Sequence, residues 1–231
     1  MFAAGSAAMV LSFDIAVEAV AEHDDWHTHE HIPERLQIPG FLRGSRWLAR
    51  SGAPRYLVLY EVASIDVLAS RPYLARLNNP SPWTARMMKH YVGMRRALCN
   101  VVAGAGSGCG GVAMLARFKP VAGAASDLND WVERAVLPTL PGRRGLASAH
   151  LLVSTLAAQM TMEQRIRGKD HDLHSALIAT GYDAGAIGSL VDGELQAGAF
   201  IAHGASDSGF ACGIYDQVYS LAAEERLDAP S

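Results

Sequence analysis

The sequence predicts an α+β protein. Two tandem β-α-β-β-α-β units, residues 1–104 and 105–231, are expected to close on each other as one barrel within a single chain. Three observations carry this. Period-two apolar stretches and helical stretches alternate in that order through the first half. The second half repeats the punctuation of the first. Finally, a sheet with helices on one face leaves its other apolar face bare, and a second copy covers it.

Residues 10–15 read as the first strand, with polar Ser12 and Asp14 alternating with apolar neighbours. Residues 16–32 have helical character, carried by Val17, Val20, Ala21 and Ile32. Pro33 cannot donate an amide hydrogen and crowds the preceding turn, so the helix kinks or restarts there. Pro39-Gly40 ends the segment, residues 41–49 form a second strand, and Ser51-Gly52-Ala53-Pro54 is a turn. Residues 55–62 (RYLVLYEV) are the clearest strand in the chain. Helical stretches at 65–77 and 83–91 flank Pro80-Ser81-Pro82, and residues 95–103 close the half as a fourth strand. That order is the split βαβ, or ferredoxin-like, unit.

The linker at 104–111 contains a formal G-x-G-x-x-G from Gly106 to Gly111. A dinucleotide fingerprint must open a helix after a strand, whereas residues 112–118 read as another strand, so no cofactor is expected there. Beyond it, Asp130-Trp131, Pro138 and Gly145-Leu146 fall without gaps on Asp25-Trp26, Pro33 and Gly40-Phe41. Tyr182-Asp183, Ile187 and Leu190 likewise fall on Tyr60-Glu61, Ile65 and Leu68. The copies differ at 155–175, where a long charged link with His171 and His174 replaces a short turn. Long loops in compact domains are usually functional or mobile, although 162–167 also suits a short helix covering an edge.

Composition narrows the function. Half of the 231 residues are hydrophobic and 19% are charged, enough for a sizeable core. A net charge of −3 argues against general affinity for nucleic acid or anionic membrane. The apolar start at 1–11 lacks a basic region and reads as a frayed end, not a signal peptide. No apolar run approaches the roughly 18 residues of a membrane span. Cys99, Cys109 and Cys212 are odd in number and widely spaced, which suits reduced thiols in a cytoplasm and no zinc ribbon. The expected partner is a small-molecule substrate, and a homodimer is compatible with the internal pseudo-dimer.

The chemistry concentrates at 25–35. His23, His27 and His31 are spaced four apart and form a stripe on one helix face, flanked by Glu30 and Glu34. Imidazole titrates near neutrality and suits general acid–base work. In the second copy His27, Glu30 and His31 become Val132, Ala135 and Val136, while Trp26, Pro33 and Gly40 persist as Trp131, Pro138 and Gly145. The scaffold is shared; the polar positions belong to the first half. The expected catalytic set is His31, His27, Glu30 and Tyr60, with a glutamate fixing the imidazole tautomer and the phenol donating to a substrate oxygen. Arg35, Arg46 and Arg86 are expected to hold a carboxylate, with Trp47 and Trp83 as pocket wall. Surface pairing and core packing are the plainer accounts of those five. His23 is expected to face solvent and His29 to lie on the surface. No metal is assigned: His27 and His31 have chelating spacing, but Pro33 stands where H-E-x-x-H needs its second histidine.

The pattern W-x3-E-H-x3-R-x3-P-G-F, from Trp26 to Phe41, resembles the EthD-like branch of the dimeric α+β barrel superfamily. Arg46, the RYLVLYE strand and Asn79-Pro80-Ser81-Pro82-Trp83-Thr84 support the resemblance, which covers residues 9–103. Over 112–221 it rests on the repeat alone. Relatives include muconolactone-type isomerases, polyketide cyclases, cofactor-free monooxygenases and haem-binding members. The resemblance implies a pocket for a small aromatic or lactone-like molecule, worked on by His and Tyr. The reading it favours is a cofactor-independent isomerase, lyase or cyclase. A cofactor-free monooxygenase, a metal- or haem-dependent enzyme and a non-catalytic binding module are the alternatives.

Overall fold

The structure, a computed structural model, describes residues 5–52, 54–156 and 160–225. In chain order the strands are β1 (Ala7–Ile15), β2 (Phe41–Ala49), β3 (Tyr56–Val62), β4 (Tyr91–Gly106), β5 (Val112–Phe118), β6 (Leu146–Leu156), β7 (His171–Asp172), β8 (Ser175–Gly181) and β9 (Ala211–Ala222). Pairing runs β4-β1-β3-β2 in the first unit and β9-β5-β8-β6 in the second, antiparallel throughout. β2 then pairs with β9 and β4 with β6, so two ferredoxin-like units close into one eight-stranded barrel. The short β7 adds to β4 in parallel at Arg95 and Arg96.

Period-two alternation decides which residues fill the barrel. Ala8 and Val10 of β1, Trp47 of β2, Leu57 and Leu59 of β3, Leu115 of β5 and Ile178 of β8 pack together inside it. The intervening residues Met9, Leu11 and Phe13 face outward and meet the helices of the first unit. Met114, Ala116 and Phe118 do the same for the second. Each unit therefore contributes to three layers: helices, sheet, and the shared interior.

The first helical segment is longer and less regular than its sequence suggests. After a 3-10 turn at Val17–Ala19 come α1 (Val20–Trp26), a π turn at His27–His31 and α2 (Ile32–Arg35), which carries Pro33 in its first turn. The chain does not restart at Pro33. Proline has no N–H to return to the preceding turn, and the widened turn closes instead through Ile32 N–H onto the His27 carbonyl. The second unit repeats this: α5 (Ala125–Trp131) leads into a π turn at Val132–Val136, before Pro138. Gly40 and Gly145 follow with φ of +92° and +91°, a backbone that L side chains rarely adopt.

Other boundaries shift for local reasons. The stretch at 65–77 divides into a 3-10 turn, Ile65–Ala69, and α3 (Arg71–Asn78), because the Ser70 hydroxyl caps a new helix by accepting from Tyr73 N. Ser81 similarly caps α4 (Pro82–Met87) through Thr84 N. Tyr91, expected in that helix, opens β4, and β1 begins at Ala7, before the expected residue 10. Of the expected frayed start, residues 1–4 lie outside the described residues, as does residue 53 of the turn. The 155–175 link forms α6 (Met162–Arg167), flanked by β7; its residues 157–159 lie outside the description. α7 (Ala184–Asp192) and α8 (Ala197–Ala202) complete the second unit. Among the described residues no helix is long and apolar enough to cross a membrane.

Trp47 is fully buried in the barrel interior and donates its indole N–H to Ser45 Oγ at 2.9 Å. Trp47→Ala is expected to cost about 3–5 kcal/mol of stability, read from the urea midpoint. A loss below about 1 kcal/mol would contradict its place in the core.

Candidate functional site

Between the first sheet and its helices the packing encloses polar groups that the second unit lacks. A cavity of about 20 Å³ is lined by Met9, Leu11, Phe13, Val58 and Tyr60 from the sheet, by His27, His31 and Arg35 from the helical segment, and by Tyr73, Met88 and Tyr91. Glu163 and Arg167 of α6 close it from the second unit, and Arg96 of β4 completes the wall.

The helical segment sets the imidazoles, because residues four apart lie one above the other on the same face. His23, His27 and His31 accordingly stack, with ring centroids 5.2 and 5.5 Å apart and planes within 20° and 28°. Trp26 lies against His31 at 4.3 Å. All three histidines are buried, so His23 does not face solvent as its spacing suggested; His29, in the same segment, is exposed. His23 Nδ1 meets Asp24 Oδ1 at 3.3 Å, and that carboxylate also accepts from the Tyr56 hydroxyl at 3.0 Å.

Burial, more than any partner, fixes the protonation states. Desolvation holds His27 and His31 well below the ordinary 6.5, and the positive charge of Arg35 pushes the same way. Burial also lowers His23, though Asp24 opposes it. Desolvation raises the Tyr60 phenol well above 10, leaving it a neutral donor. Burial alone would pull Arg35 down, but the Glu163 carboxylate keeps it charged. Their ion pair measures 2.5 Å between side chains that are each 2% exposed. Around this one space His27 Nδ1, His31 Nδ1 and Tyr60 Oη have no hydrogen-bond partner among the described residues, and Arg35 Nη1 has only the Glu34 carboxylate, at 3.8 Å. Buried polar atoms are ordinarily paired, so unsatisfied atoms converging on one cavity make it the candidate site.

Of the sequence-derived candidates, His27, His31, Tyr60 and Arg35 meet at the cavity. The other five lie outside its lining. Glu30 accepts from Trp26 Nε1, Ser81 Oγ and Thr84 Oγ1, at 3.1, 2.5 and 3.2 Å, and so fixes Trp26 against the loop before α4; among the described residues no imidazole hydrogen-bonds to it. Arg46 donates to the Asp24 carbonyl and Thr28 Oγ1 at the flank of α1. Trp47 belongs to the barrel interior. Trp83 and Arg86 both donate to Glu22 at an exposed site. Sequence reasoning did not single out Tyr73, Tyr91, Arg96, Glu163 or Arg167. For Glu163 and Arg167 the only signal was charge within the 155–175 link. Among the described residues no group of three His, Cys, Asp or Glu is placed to hold a metal ion.

No family model and no curated protein matches the chain. Solved structures do. An anthrone oxidase-like protein superposes with a TM-score of 0.67 at 13% identity, covering 99% of this chain and 98% of that one. A putative monooxygenase from Fusobacterium nucleatum subsp. nucleatum gives 0.60 at 7% identity, covering 94% of each chain. Another from Lactobacillus acidophilus gives 0.57 at 9%, covering 94% of this chain and 96% of that one. The chain has the dimeric α+β barrel fold, with both halves in one polypeptide.

The imidazole environment fixes a pH dependence. The unfolded chain takes up protons on His27 and His31 as pH falls through 6.5, whereas the folded chain resists them until lower pH. Their contribution is therefore full above about pH 6.5 and lost progressively below it. A double variant, His27→Val with His31→Val, copies the second unit. It is expected to lose less stability than wild type between about pH 7 and pH 5, by urea denaturation. Parallel curves would contradict the assignment. Separately, Glu163→Ala leaves Arg35 buried without its closest carboxylate and is expected to cost about 3–5 kcal/mol.

Proposed function

We propose that the first-unit cavity abstracts a proton from a small aromatic molecule and holds the resulting anion. The observation that carries this is the convergence on one space of two neutral imidazoles and a neutral phenol, each with an unpartnered polar atom among the described residues, and a permanently charged guanidinium. His31 is the base, with His27 beside it. Arg35 and Tyr60 take the oxygen on which negative charge develops, as preorganised donors in a site of low dielectric. Burial holds His31 neutral before reaction and the charge of Arg35 adds to it; an anion between His31 and Arg35 cancels that repulsion and favours an imidazolium. His27, His23 and the Asp24 carboxylate, whose side chain is 32% exposed, give the proton a column of titratable groups towards solvent.

The lining of Phe13, Tyr73, Tyr91, Met9 and Met88 suits an aromatic ring. At about 20 Å³ the cavity exceeds only slightly the 10–15 Å³ or so that one water needs. Binding a ring therefore requires α6 and its side chains to move aside.

Two fates of the anion are open chemically, and the names of the neighbours favour one. An electron-rich carbanion or phenolate reduces dioxygen directly; an aromatic CH2 oxidised to a carbonyl consumes one O2 and releases one water. Similarity to an anthrone oxidase-like protein and to putative monooxygenases supports this cofactor-free oxygenase reading. Reprotonation at another carbon would make the same site an isomerase. The Trp26–Phe41 motif supports an EthD-like assignment within the superfamily, and three free thiols support action in the cytoplasm.

An oxygen electrode with anthrone as substrate tests the reading. Uptake is expected, falling about 10²–10⁴-fold in His31→Ala, as loss of a general base should give. Turnover without oxygen consumption would select the isomerase fate. A His31→Ala rate within about threefold of wild type would remove His31 from the chemistry.

A further inference from the structure

The barrel has a second feature that the first-unit cavity does not use. The interior row of side chains continues past Val10, Leu115 and Ala97 as Ser12 on β1, Arg117 on β5 and Arg95 on β4, all at one end of the barrel. There Arg117 and Arg95 line an open groove of about 390 Å³ with Lys119, His171, Asp172 and His174. Three permanent cations thus face one carboxylate, in a chain whose net charge is −3.

The cations are poorly satisfied. Arg117 is half-buried, and its one hydrogen bond among the described residues runs to the Ser12 hydroxyl at 3.2 Å. Among the described residues Arg95 reaches only the Gly93 carbonyl, at 3.5 Å. No ion pair forms at Arg95, Arg117 or Lys119 among the described residues. Burial lowers the pKa of Arg117, and the charge of Arg95 pushes it the same way, so the two guanidinia repel each other. Asp14, at the same barrel end, accepts the Arg55 backbone N–H at 2.7 Å and lies outside the groove lining.

We infer that this barrel-mouth groove is a binding site for a small molecule carrying a phosphate group, held between Arg117 and Arg95 with Lys119 at the rim. Guanidinium forks on two separate strands match the oxygens of a tetrahedral dianion. An excess of two cations suits a dianion better than a monocarboxylate. Arg95 and Arg96 are neighbours on β4 but point to opposite faces of the sheet, so this site is separate from the first-unit cavity.

Isothermal titration with inorganic phosphate and pyrophosphate tests it, with acetate as the monovalent comparison. Saturable binding of phosphate and pyrophosphate is expected, weaker at high salt, with acetate weaker than either. Arg117→Gln and Arg95→Gln are each expected to weaken it tenfold or more. Arg117→Gln leaves behind only a hydroxyl, and circular dichroism checks that both variants fold. Absence of saturable binding overturns the proposal. So does binding that survives both variants, or that is lost in Arg96→Gln and kept in Arg117→Gln, since the anion would then occupy the other cavity.

Discussion

Closure of the barrel is the constraint on which the remaining structure depends. Each unit taken alone is a four-stranded sheet with two open edges and two apolar faces. The β2–β9 and β4–β6 ladders remove the edges and bury one face of each sheet against the other. Unpaired edges and bare apolar faces both promote association with other chains, and closure disposes of the two together. What remains is the outer face of each sheet, which only helices can cover. The second unit does this with an apolar core. The first leaves a gap that its own helices do not fill, and α6 arrives from the second unit to fill it, bringing Glu163 and Arg167.

That arrangement explains why polar groups persist in one core and not in the other. His27 and His31 occupy π-turn positions whose counterparts in the second unit are Val132 and Val136, all of them buried. The fold accepts valine there. Burying an unsatisfied donor or acceptor costs about 1–3 kcal/mol, so the atoms at His27, His31 and Tyr60 work against stability. The Arg35–Glu163 pair offsets part of this locally, yet buried ion pairs are weak sources of net stability. Local departures from good packing concentrate at functional sites, and here they concentrate within one cavity.

Much of this is legible in the sequence, for physical reasons. Strand positions and closure follow from period-two alternation, the ferredoxin-like order and the bare sheet face. Four of the nine candidate residues meet at the cavity because helical spacing and strand parity place them on one side. Those that do not were misplaced by parity or by neighbours. Trp47 sits on the interior parity of β2, and Arg46, although on the opposite face, is drawn to the flank by Asp24 and Thr28. Glu30 has helical spacing to the histidines, but the hydroxyls of Ser81 and Thr84 claim its carboxylate. His23 is covered by Phe13, Tyr56 and Tyr91, aromatic contacts across the sheet that no local pattern reveals. The helix at 162–167 is legible in the sequence, but the ion pair that α6 brings to the first-unit cavity is not. It joins residues 128 positions apart, Arg35 and Glu163, and depends on how the two units pack.

The central claim is that a neutral imidazole at His31 takes a proton while Arg35 and Tyr60 receive the anion. The most direct measurement is the absorbance difference spectrum of 4-nitrophenol mixed with the protein just below the pKa of the free phenol. A phenolate band that grows saturably with protein and disappears in His31→Ala is the expected result. No phenolate band, or an equal band in that variant, would contradict the account.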